Sequence, residues 1–295
     1  MKEEIMNRLA EAVKEKVGIE CDIEFKEARK NNGIMLQGIL IRKHGETVFK
    51  NIYIDNLIDR IEQCSTGVQD AAEEIVRIFN ENQNSGELAG IVKSLNKEKI
   101  LQRAVYQLVG KERNMDMLAD VPHKELLDLA AVYRVVLDES SDETLSFLLT
   151  NSLCREYGID SEEFERAAGR NTEMRGFVTI NFASVVAENT GIPQELSEAD
   201  LPPLYVLTNK TRVNGAAVML YWNYFEKLAH KLQSDLYILP SSVHEVLAVP
   251  ASIGDPRELK DMVREINAGG IIADDEILSD NVYFYNLKKG GLYIA

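Results

Sequence analysis

Ser241, Ser242, His244 and Glu245 fall within one short stretch, LPSSVHEVLAVP, that runs from residue 239 to 250. A hydroxyl, an imidazole and a carboxylate are the groups from which an activated serine is assembled: the imidazole takes the hydroxyl proton and the acid orients the ring. Such sets are usually gathered from distant parts of a chain, because adjacent side chains rarely meet in that geometry. The stretch also lacks the G-x-S-x-G elbow that presents a strained serine. Ser242 followed three positions later by Glu245 instead matches the reciprocal pattern that caps a helix start. A cap or turn is therefore expected. The alternative is a hydrolase-like enzyme with a cleft near Ser241, Ser242, His244 and Glu245.

Other candidates are weighed in the same way. The sequence HEVLA begins like a zinc protease helix, but the second imidazole would have to stand where Ala248 is. His123, in VPHKELLDL, is a second proline-near histidine entering an apolar strand. It either shares a cleft with His244 or marks the matching corner of a similar unit, and the corner is the expectation. Asn209, Lys210, Arg212 and Asn214, in LTNKTRVNGA, offer donors to an anionic ligand, against the default of an exposed loop between strands. Asp274 and Asp275 are the acids best placed for a divalent cation, but the run ADDEILSD lacks the spacing of a calcium loop. Neither phosphate-cradling glycine pattern occurs, and no cofactor is expected.

The bulk composition narrows the partners. The 295 residues carry 48 acids against 33 bases, a formal charge of −15. That field repels nucleic-acid phosphates and anionic lipid, so neither nucleic acid nor a membrane is expected as partner. Three cysteines, Cys21, Cys64 and Cys154, are widely spaced and include no CxxC pair, which suits a reducing cytoplasm. The opening residues form an amphipathic stripe of Ile5, Leu9, Ala12, Val13 and Val17 rather than a secretory signal. No apolar run approaches the roughly 18 residues of a membrane span. A soluble, cytoplasmic protein is expected.

The elements that would position these residues follow from periodicity. After the first helix, two alternating segments flank KNNG, whose Asn-Gly suits a tight hairpin. A strand near VFKNIYI precedes helices at about 55–64 and 67–82, the second opening with a Thr66/Gln69 capping box. The polar stretch NENQNSGELAG marks a boundary, giving an N-terminal region 1–86 and a C-terminal region 95–295, the latter open to being two similar units joined near 192–203. Beyond the boundary, RAVYQLVG, LLDLAAVYRVVLD and TLSFLL read as strands, followed by helices at 151–157 and 161–170. PLYVLTN, GAAVMLY and LYILP read as further strands, around a helix at 222–233. A helix at about 256–267 starts with Asp255 as cap and Pro256 in its first turn, and VYFYNL and GLYIA close the chain as strands. The order is α+β, mixed sheets with flanking helices; whether its strand-helix-helix units are repeats is left open by the sequence.

Three groups of segments carry a resemblance: NNGIMLQGILIRK with KNIYIDNLID; YQLVGKERN with DVPHKELLDLAAVYRVV; and the later YVLTNK, GAAVMLYWNYFEKLA, DLYILPSSVHEVLAVP, LKDMVREIN and ILSDNVYFY. They resemble the bacterial domain-of-unknown-function family 5688 over nearly the whole chain, ILPSSVHEV and MVREIN most specifically. Trp222 departs from the pattern, standing where a proline or small turn residue is expected. The resemblance implies a cytoplasmic bacterial protein and carries no catalytic residues across. The leading expectation is a non-catalytic interaction or ligand-binding protein with a protein or small-molecule partner, a homo-oligomer being open. Beside the hydrolase stands a second alternative, an accessory factor of a mobile element.

Overall fold

The computed structural model describes residues 2–18, 20–45, 49–81, 91, 93–139, 144–184 and 203–295. The boundary stretch 82–90 and the joint expected near 192–203, as far as residue 202, lie outside the described residues. The chain forms two units, Met1–Lys30 with Ile34–Leu95, and Asn31–Gly33 with Asn96–Ala295.

In the first unit, helix α1 (Lys2–Val17) buries Ile5, Leu9, Ala12 and Val13, the stripe set by its 3.6-residue period. Strands β1 (Cys21–Arg29), β2 (Met35–Lys43) and β3 (Lys50–Tyr53) form an antiparallel sheet in that order. The register aligns Phe25 with Ile39 and Ile39 with Ile52. This face joins the core of α1, α2 (Asp55–Glu62) and α3 (Val68–Glu81). On the alternate positions Asp22 pairs with Arg42 at 2.6 Å, and the Lys30 ammonium lies over the Tyr53 ring. One buried and one polar face is what period-2 alternation dictates. The β1–β2 turn, whose Asn31–Gly33 counts with the second unit, uses left-handed backbone at Asn32 and Gly33, as the Asn-Gly pair suggests. The α3 start differs from expectation by one residue. Asp70, not Gln69, reaches back, accepting from the Gly67 N–H at 3.3 Å, while the Thr66 hydroxyl meets Arg60.

The second unit contains α4 (Lys97–Arg103), β4 (Ala104–Gly110), α5 (Met115–Asp120), β5 (His123–Leu126), β6 (Leu129–Glu139), β7 (Thr144–Leu148), α6 (Asn151–Tyr157) and α7 (Ser161–Met174). There follow β8 (Phe177–Asn181), β9 (Tyr205–Asn209), α8 (Trp222–Leu232), β10 (Leu236–Leu239), β11 (Val246–Pro250), α9 (Pro256–Ala268), β12 (Tyr283–Asn286) and β13 (Gly291–Ile294). In one sheet β6 is flanked by β4 on one side and by β5 and β7 on the other. The second sheet runs β13-β12-β10-β11-β9-β8. All of these pairings are antiparallel. The fold is α+β, and the order strand-helix-helix occurs as β3-α2-α3 and again as β7-α6-α7. Among the described residues, no helix is long and apolar enough to cross a membrane.

Two local expectations are corrected, and one strand is added. LLDLAAVYRVVLD is not one strand but the hairpin β5–β6, turning at Leu127, whose φ is 56°, and Asp128. GAAVMLY is not a strand: Gly215–Leu220 is a fully wrapped 3-10 turn, buried from Gly215 to Met219. An apolar run buried on every side carries no period, so strand and helix look alike in sequence. Strand β8 was not anticipated at all, because FVTIN follows a helix without a turn cluster of its own.

Candidate functional site

Three segments of the second unit converge: the loop after β9, the loop joining β10 to β11, and residues 273–277 ahead of β12. The β10–β11 register, Leu239 opposite Leu247, fixes the ends of the loop that carries the serines and the histidine. No helix follows it. The buried Ser242 hydroxyl accepts from the His244 N–H at 3.0 Å, and the Ser242 N–H donates to the Glu245 carbonyl at 3.2 Å. The Ser-to-Glu spacing therefore closes a turn on itself, the hydroxyl standing in for a backbone acceptor. Ser241 is half-buried in the same loop.

The loop after β9 is built around Asn209, whose buried amide donates to the Val213 carbonyl at 2.7 Å and accepts from Thr211 at 3.1 Å. Arg212 and Asn214 take left-handed backbone, with φ of 56° and 57°. Lys210 and Arg212 are exposed, the Lys210 stem lying beside Gly176. Gly215 ends the loop where nothing larger fits: a Cβ there would collide with the Thr208 hydroxyl, the His244 carbonyl and the Asn209 amide. Thr208 itself donates to the His244 carbonyl at 2.8 Å, locking the two loops together.

His244 is the hub. Its Nδ1 accepts the Asn214 N–H at 3.2 Å, and its Nε2 lies 3.3 Å from Glu276 Oε1. A backbone N–H can only donate, so Nδ1 carries the lone pair and the ring proton sits on Nε2, donated to the carboxylate. The Val243 N–H donates to the Glu276 carbonyl at 2.9 Å, and the Ala216 N–H to the Val243 carbonyl at 3.3 Å. The imidazole thus ties all three segments. With both nitrogens engaged, it has no free lone pair with which to take a proton from a serine hydroxyl.

Asn214, Glu276 and His244 meet, although they came from separate sequence clusters. His123 stands elsewhere: it is exposed on β5 opposite Val132, and its Nδ1 donates to the Val121 carbonyl at 3.1 Å. Among the described residues no hydrogen bond joins it to 241–245. Asp274 and Asp275 form the turn closed by the Glu276 N–H on the Ala273 carbonyl at 2.8 Å. Their backbone carbonyls accept from Asn32 and Asn31, each at 2.8 Å. Among the described residues no group of three or more His, Cys, Asp or Glu could hold a metal ion.

A second polar centre escaped sequence reasoning. Asp128 Oδ1 accepts from the Tyr283 phenol at 2.9 Å, and Oδ2 accepts from Ser279 at 2.7 Å and Asn281 at 3.0 Å. Burial, then the charge of Asp128, pushes the Tyr283 phenol well above its usual range. The lone Asp inside the apolar LLDLAAV was the available signal. Glu276 offered none, since 31 residues separate it from His244 and no spacing rule pairs them.

These two centres hold some of the stretches on which the resemblance rests. The family model described as a family of unknown function (DUF5688) matches residues 2–287. The chain belongs to DUF5688. No curated protein and no solved structure matches it. In this DUF5688 chain the segment ILPSSVHEV is the loop organised by His244, and ILSDNVYFY is the segment fastened by Asp128.

Proposed function

We propose that this DUF5688 chain is a non-catalytic interaction or ligand-binding protein of the bacterial cytoplasm. The observation that carries the reading is the double engagement of His244, which donates to Glu276 and accepts from Asn214. An imidazole so placed joins loops; it does not activate a nucleophile. Ser242 supports the same reading, because its oxygen faces the His244 amide rather than the ring. Three widely spaced cysteines, Cys21, Cys64 and Cys154, suit the compartment. The test is a fluorophosphonate probe, followed by intact-mass and peptide analysis. No adduct at Ser241 or Ser242 is expected, whereas a covalent adduct at either would restore the hydrolase reading.

A further inference from the structure

Helix α9 leaves an apolar ridge uncovered. Its inner face is set by Val263 and Asn267, both buried, with Leu259 half-buried beside them. At about 100° per residue, Met262 and Ile266 come next round the helix, yet they remain 48% and 36% exposed. Beyond the helix end Ile271, 78% exposed, lies 4.0 Å from the position a Gly269 Cβ would take. Gly269 shares the Met262 and Ile266 side of the helix, which puts Ile271 at the C-terminal end of the line that those two side chains begin. Scattered exposed apolar residues need no explanation, but a contiguous stripe beside a packed seam does.

The flanks of the stripe differ in charge. Glu258 and Glu265, both exposed, lie within about 60° of Met262. Asp261 stands further out and leans toward Arg264 at 3.9 Å. Arg257, Lys260 and Arg264 lie about 140–160° away, on the far side. The open flank of the stripe is therefore acidic, on a chain of net charge −15. A second copy is a poor occupant, because antiparallel pairing about a two-fold axis sets each acidic flank against its twin. Anionic lipid and nucleic acid are repelled by the same acids.

We propose that the Met262–Ile266–Ile271 ridge docks a basic amphipathic segment of a partner protein, apolar side chains on the stripe and Lys or Arg against Glu258 and Glu265. The proposal rests on the interaction reading above and adds the face and the partner chemistry. Docking of this kind takes i, i+3, i+4 anchors for affinity and charge for orientation.

The probe is a fluorescent model peptide with leucines on one helical face and lysines beside them. Its controls are a scrambled peptide of identical composition and a version with glutamates for the lysines. The native chain is expected to bind the amphipathic basic peptide about tenfold or more tighter than either control. Met262→Gln with Ile266→Gln is expected to remove that preference while leaving the thermal melt unchanged. Glu258→Gln with Glu265→Gln should weaken binding several-fold and flatten its salt dependence. Equal binding of the scrambled peptide, unchanged binding by the Met262/Ile266 variant, no binding at all, or sedimentation of the native chain as a dimer that this variant splits would each overturn the proposal. The fluorophosphonate result is independent of all four, so a failed face and a failed interaction reading are distinguishable.

Discussion

His244 presents to Glu276, across 3.3 Å, the ring nitrogen that carries its proton, and gives its lone pair to the Asn214 amide. Both bonds are structural, so removing the ring should cost stability. His244→Ala leaves a backbone N–H without its acceptor and is expected to lower unfolding free energy by about 1–3 kcal/mol. Glu276→Gln retains an acceptor and should stay within about 1 kcal/mol of the native chain. Urea unfolding of the two variants checks the contrast.

Gly215 tests the same junction sterically. A methyl group there meets the Thr208 hydroxyl, the His244 carbonyl and the Asn209 amide at once. Gly215→Ala is expected to destabilise by about 1–3 kcal/mol through overpacking. A thermal melt equal to that of the native chain would mean the loops are not locked as described.

Asp128 fastens the chain ahead of β12 through three side-chain donors. Asp128→Ala strands Ser279, Asn281 and Tyr283 together, with an expected loss of about 3 kcal/mol or more. Tyr283→Phe removes one bond and should cost about 1 kcal/mol. Combining the two should be clearly less than additive, which a double-mutant cycle measures.

Burial raises the Tyr133 phenol to about 12 and pushes Tyr106, Tyr221 and Tyr283 up as well. The folded chain therefore keeps protons that the unfolded chain gives up near pH 10. Stability from this source is full below about pH 10 and falls as pH rises above it. Ultraviolet titration should show these four tyrosines ionising late, together with unfolding; smooth ionisation of all 11 tyrosines near their ordinary value would contradict the packing.

Much of the fold was legible because its helices and strands carry clean periods. The α1 stripe, the β1–β2 hairpin and the Asp255–Pro256 start of α9 are local signals, and the structure contains each. Where tertiary contacts decide, sequence fell silent. Leu127 adopts left-handed backbone without being Gly or Asn, while its neighbour Asp128 is held by distant partners. The 3-10 turn at 215–220 is set by what surrounds Gly215, not by its own pattern. At the candidate site, the Ser242 turn was anticipated as a cap or turn, and it took the turn form. The His244–Glu276–Asn214 junction could not be read, since it joins three segments that only the sheet brings together.

The most direct measurement is a long-range proton–nitrogen NMR spectrum of the His244 ring in the intact chain. The expected pattern is a bare, pyridine-type Nδ1 and a protonated, pyrrole-type Nε2, a tautomer retained when Ser241 or Ser242 is replaced by alanine. A protonated Nδ1 with a bare Nε2, or a ring tautomer that switches when either hydroxyl is removed, would contradict the structural role assigned to this histidine.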